Sequence, residues 1–128
     1  QIIALGLTSR VTLAGPLSPK ALAEQYRCAD VFLLASHYEG YGMAFAEALA
    51  WGLPVIGTTG GAVEQTVPSE TGLLVAPGQP EAFAAALMQI LKDPAKRERM
   101  RLAAQRHGQQ LPTWADTAQA FAKVLSKV

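Results

Sequence analysis

Two carboxylates, Glu39 and Glu47, bracket the segment EGYGMAFAE and carry the most chemistry in this sequence. From Met43 to Trp51 every side chain except Glu47 is apolar, so the segment reads as an Ala-rich helix that looks buried. An unpaired carboxylate in such a place is costly, which asks for a partner. Gly40 and Gly42 flank Tyr41 just ahead of it, where a sharp backbone turn lets a ligand approach closely. The amides of Gly42, Met43 and Ala44 fall in the first helical turn, where N–H groups have no intrahelical acceptor and the helix dipole favours an anion. A phosphate suits that position. Helical side chains lean toward the amino terminus, so Glu47 reaches back toward the same rim, about 6 to 7 Å beyond the phosphate at ~1.5 Å rise per residue. A ribose joined to the phosphate would offer it two hydroxyls. Glu39 lies ahead of the helix, placed for the group at the far end of a diphosphate.

Alternating elements must position these residues. VTLAG (11–15) reads as a buried strand, and Ser18 caps a helix with Pro19 at its first position and Leu22, Tyr26 and Ala29 on one face. VFLLAS (31–36) is a continuous apolar run, as expected of a parallel strand covered on both sides. The Gly42–Trp51 helix ends at Gly52 and Pro54, and a strand at about 54–58 runs into a glycine turn. A short helix over 62–67 and a strand over 71–76 follow. Phe83, Leu87, Ile90 and Leu91 form one stripe of a helix starting at Pro80. Asp93-Pro94 opens the next helix, with Met100, Ala103 and Ala104 inward. Thr113 and Asp116 open the last one as a capping-box variant, with Trp114, Ala118, Phe121, Ala122 and Leu125 as its stripe. The alternation predicts an α/β fold, a Rossmann-like parallel sheet with helices on both faces.

The double-Glu segment, with ADVFLLAS before it and GLPV, GGAVE and ETGLLV after it, resembles the donor-binding domain of the retaining group 1 glycosyltransferases, enzymes of GT-B fold. The resemblance runs from residue 5 to about 120. It implies a hexosyltransferase that moves a sugar from a nucleoside-diphosphate sugar to an acceptor with retention, with no cofactor and no metal. It makes Glu39 the residue at the donor sugar, positioning and electrostatic rather than nucleophilic. The backbone of Gly40, Tyr41 and Gly42 would line the sugar pocket, the amides of Met43 and Ala44 hold the distal phosphate, and Glu47 bind the ribose hydroxyls. Leu17 corresponds to a backbone position at the nucleobase. The resemblance also implies a departure: the family's first two strand–helix units, which carry an Arg and a Lys for the diphosphate, and its acceptor domain have no counterpart in these residues. Residues 1–128 are thus expected to be a single donor-binding domain fragment, inactive alone. The edge of VFLLAS would then be unpaired and open to a homodimer or strand-swapped assembly. A nucleotide-sugar epimerase of similar fold and a non-catalytic nucleotide-binding module are the alternatives, and a bare fold does not separate them.

Composition bounds these readings. With 50% apolar and 16% charged residues, the chain is globular rather than disordered. A net charge of +1 gives no nucleic-acid signal. One cysteine, Cys28, excludes an internal disulfide and fits a reducing, cytoplasmic setting; on a helix flank it reads as a small core residue. No basic region precedes the short apolar start, so no signal peptide is expected, and the opening QIIALGLTSR, without Met, suggests a piece of a longer protein. No His, Cys and carboxylate set has metal-ligand spacing. Thr59, Gly60, Gly61 and Glu64 read equally as a ligand-lining turn and as a plain turn with a helix cap. His37 reads equally as a donor or acceptor contact and as a loop histidine without a role. His107 suits the carboxyl end of its helix dipole. The cations from Lys92 to Arg106 form a solvated face by default, and a contact with anionic lipid at the inner membrane surface as the alternative, which would suit a lipid-linked saccharide acceptor. Trp51 and Trp114 read as core or domain-packing residues.

Overall fold

A computed structural model describes residues 1–127. Helix α1 (Pro19–Cys28) precedes strand β1 (Phe32–Leu34), and helix α2 (Met43–Ala50) leads to β2 (Val55–Thr58). The short α3 (Val63–Thr66) leads to β3 (Gly72–Val75), followed by α4 (Pro80–Lys92), α5 (Pro94–Gly108) and α6 (Trp114–Leu125). The three strands form a parallel sheet in the order β1-β2-β3.

β2 is buried along its whole length, and side-chain alternation splits it between two cores. Val55 joins Phe45, Ala48, Leu49, Val63, Val67 and Ala104 on the face covered by α2 and α3. Ile56 joins Ala86, Ile90 and Met100 on the face covered by α4 and α5. Helices therefore cover both faces, as the alternation of patterns predicts. Met100, Ala103 and Ala104 point inward as expected, and Ile90 is the buried centre of the α4 stripe, whereas Leu91 stays exposed.

Local signals set the helix starts. The Ser18 hydroxyl accepts from the Ala21 amide, and the Asp93 carboxylate accepts from Lys96 N–H at 2.8 Å. At α6, Thr113 and Asp116 exchange both bonds of a capping box.

Several expectations fail. Residues 11–15 belong to no strand and are exposed, because among the described residues no neighbouring strand satisfies their backbone groups. β1 is shorter than VFLLAS and only half covered, with Leu33 44% exposed. Its outer edge pairs with no strand among the described residues. Of the α1 stripe only Tyr26 is buried. The apolar stripe of α6 stays largely uncovered among the described residues: Trp114 is 83% and Phe121 67% exposed, and no residue of that helix is buried. Trp114 is therefore no core residue. Cys28 is exposed too, its thiol donating to Glu24 at 3.4 Å.

Candidate functional site

The carboxyl ends of the strands open into loops, and the loop after β1 is tied to the loop after β2 along its length. Thr58 donates its hydroxyl to the Ser36 carbonyl. Glu39 N–H donates to the Gly60 carbonyl at 3.1 Å, and Ala62 N–H donates to the Glu39 carbonyl at 3.0 Å. The sheet thus continues as an isolated parallel bridge between Glu39 and Gly61. This close approach explains the second glycine turn. A Cβ on Gly61, whose φ is +74°, would lie 2.0 Å from the Glu39 carbonyl oxygen, and one on Gly60 would lie 2.5 Å from that of His37. The pair is required to seat the Glu39 loop.

Glu39 itself is half-buried, and the Ser36 hydroxyl donates to its Oε1 at 2.6 Å. Backbone and side chain of Glu39 are thus both held by neighbouring loop residues.

Gly42 follows as the residue before α2, with φ +82°, a left-handed conformation that turns the chain from the loop into the helix. Thr66 of α3 donates its hydroxyl to the Tyr41 carbonyl at 2.5 Å and locks the same turn. No side chain caps α2, and the first amide bonded back to the turn is Ala46 N–H, to Gly42 O at 3.0 Å. The amides of Met43, Ala44 and Phe45 are therefore free to meet an anion.

Glu47 departs from expectation. α2 buries Phe45, Ala48 and Leu49 in the core it shares with the sheet and α5, and Glu47 stands on the side that this core leaves exposed. The carboxylate remains near the helix opening rather than adrift. With Tyr41, Met43, Ala46 and Ala50 it lines a groove of about 770 Å³, whose far wall is Leu111, Pro112, Trp114 and Thr117. Tyr26 donates its hydroxyl to Glu47 Oε2 at 3.3 Å. Burial pushes the Tyr26 phenol above its ordinary range, and the Glu47 charge and hydrogen bond push it further the same way.

The structure brings Tyr41, Met43 and Glu47 together, with Gly42 and Ala44 at the adjoining helix start and Glu39, Gly40, Gly60 and Gly61 in the linked loops. Leu17 lines none of the groove; it precedes the Ser18 cap of α1. Ser36, Thr66 and Tyr26 were not singled out from sequence as site residues. The partners of Thr66 and Tyr26 lie 25 and 21 positions away, so no local pattern reveals them. Among the described residues no cluster of His, Cys, Asp and Glu is suited to a metal ion.

Comparison with known proteins agrees with this geometry. The chain is 37% identical over 115 residues to the D-inositol 3-phosphate glycosyltransferase of Rhodococcus opacus, covering 89% of this chain and 26% of the relative. It is likewise 37% identical over 121 residues to the enzyme of that name from Corynebacterium diphtheriae, covering 94% and 28%. The chain thus spans about a quarter of the length of these relatives. The sucrose-phosphate synthase structure from Thermosynechococcus elongatus superposes with a TM-score of 0.87 at 33% identity, over 99% of this chain and 33% of that one. The Anabaena HepE complex with UDP-glucose superposes with a TM-score of 0.89 at 25% identity, over 99% and 35%. The sequence model of the family described as "Glycosyl transferases group 1" matches residues 1–107. This chain belongs to the group 1 glycosyltransferases.

Proposed function

We propose that residues 1–128 form the donor-binding domain of a retaining glycosyltransferase that takes a hexose from a nucleoside-diphosphate sugar. The observation that carries this reading is the uncapped start of α2, with three free amides, set between Glu39 and Glu47. The amides of Met43 and Ala44 hold the distal phosphate, and the helix dipole adds a favourable field. Glu47 accepts from the ribose hydroxyls, one carboxylate oxygen to each. Glu39, held by Ser36, lies at the sugar and stabilises developing charge there. Gly40, Tyr41 and Gly42 line the sugar pocket, with Gly60 and Gly61 behind the Glu39 loop, and Leu17 meets the base. The HepE complex with UDP-glucose supports the donor class.

Among the described residues no Lys or Arg lines the groove. A diphosphate would meet two carboxylates and neutral amides, so these residues alone bind the donor weakly and do not turn it over. Calorimetry with a panel of nucleoside diphosphates tests the reading. Saturable binding that Glu47→Ala weakens supports it; an affinity indifferent to that change removes the ribose assignment. Strong turnover by residues 1–128 alone would contradict the domain assignment.

The acceptor is a saccharide or lipid-linked saccharide, and the setting is cytoplasmic at the membrane face. Among the described residues no helix is long and apolar enough to cross a membrane. Lys96, Arg99 and Arg106 instead line, with Glu70, a groove of about 500 Å³ between α5 and the turn before β3, and the three cations suit anionic headgroups. Flotation with vesicles containing anionic lipid, lost on Arg99→Glu with Arg106→Glu, checks that contact. The free edge of β1 favours pairing with a second copy, and sedimentation of residues 1–128 as a dilute monomer would contradict it.

A further inference from the structure

We propose that Tyr26 is a positioning residue for Glu47, orienting its carboxylate toward the ribose; the inference rests on the donor-site reading above. Tyr26 is the one buried residue of the ten-residue helix α1. Its ring is stacked on the Trp51 indole, with centroids 6.2 Å apart and planes within 6°, and its other neighbour is Phe32 at 6.1 Å. Glu47 lies one turn before Trp51, the residue that caps the end of α2. A ring laid on Trp51 therefore carries its hydroxyl along the helix to the carboxylate of the preceding turn, where it meets Oε2 at 3.3 Å.

Among the described residues no other side chain bonds this carboxylate. The ion pairs of the described residues are Arg27–Glu24 and Arg101–Glu98, and neither touches Glu47. An exposed glutamate samples several rotamers, and holding one geometry for a diol costs entropy on binding. A phenol on Oε2 selects an orientation in advance. It leaves Oε1 and the second lone pair of Oε2 to accept from the two ribose hydroxyls. A phenol is protonated at neutral pH, hence a donor, and burial and the neighbouring negative charge push its pKa further up.

A purely structural role would make Tyr26 the anchor of α1, a task of the ring and not of the hydroxyl. Tyr26→Phe separates the two, since it keeps the stack and removes the donor. The measurement is binding of the tightest nucleoside diphosphate of the panel and of its 2′,3′-dideoxy counterpart to the complete polypeptide that carries these residues. The 3.3 Å contact is long for a hydroxyl to a carboxylate, so the expected loss is about three- to tenfold for the ribonucleotide. The dideoxy ligand should bind as before, and Tyr26→Phe should add no loss in a Glu47→Ala background. Equal losses for both ligands, or no loss for either, would overturn the proposal. If Glu47→Ala itself fails to discriminate the two ligands, the ribose reading falls first. If Glu47→Ala discriminates and Tyr26→Phe does not, the Tyr26 inference alone falls.

Discussion

The turn that joins β1 to α2 and the helix α6 are equally legible in sequence, yet they end in opposite physical situations. The turn is held from several directions: Thr58 at Ser36, Gly60 and Ala62 at Glu39, and Thr66 at Tyr41. α6 has a complete capping box and a clear apolar stripe, and it buries nothing. One is rigid because distant segments converge on it. The other is a helix by local hydrogen bonds alone, with its apolar face free. A binding constellation needs the first kind of support, since a small misplacement of an orienting group weakens the interaction it makes.

The contrast can be broken most forcefully at the sheet. Phe45 is fully buried and its ring lies on Gly57, so Phe45→Ala should destabilise the chain by about 3–5 kcal/mol, read from denaturant midpoints. Gly61→Ala combines a left-handed φ with a Cβ driven into the Glu39 carbonyl. It should cost about 2–4 kcal/mol and loosen the Glu39 loop, seen as faster amide exchange at Glu39 and Ala62. Wild-type exchange there would mean that the two loops are not coupled. Thr66→Val removes the bond to Tyr41 while keeping the shape, for a loss of about 1 kcal/mol.

At the other pole, Phe121→Ser on α6 should leave the unfolding midpoint within about 0.5 kcal/mol while raising solubility. A loss like that at Phe45 would show that α6 packs on the chain after all. The smallest effect is expected at its cap. Thr113 hydrogen bonds hold the Asp116 carboxyl below its ordinary range, so the cap operates above the unfolded pKa and is lost as pH falls through the lowered one. Circular dichroism should record fraying of α6 in acid while the sheet core persists.

Much of this molecule was readable residue by residue. The proline and hydroxyl caps placed α1, α4, α5 and α6, and the apolar runs placed β1, β2 and β3, because such signals act within a turn or a strand. The free amides at α2 and the bracketing carboxylates were readable for the same reason. Coverage was not. VTLAG has a strand's composition, but a strand exists only beside a partner, and none lies beside it among the described residues. An Ala-rich α2 suggested burial all round, whereas only Phe45, Ala48 and Leu49 enter the core shared with the sheet and α5, leaving Glu47 exposed at a groove.

The sequence by itself determined where helices start, which segments are strands, and which residues could meet a diphosphate and a ribose. Tertiary structure alone decided that Gly61 yields to the Glu39 backbone, that Thr66 locks Tyr41, and that Tyr26 reaches Glu47. The reason is distance along the chain. A cap joins residues three apart, but these contacts span 21 to 25 positions and exist only in the folded chain.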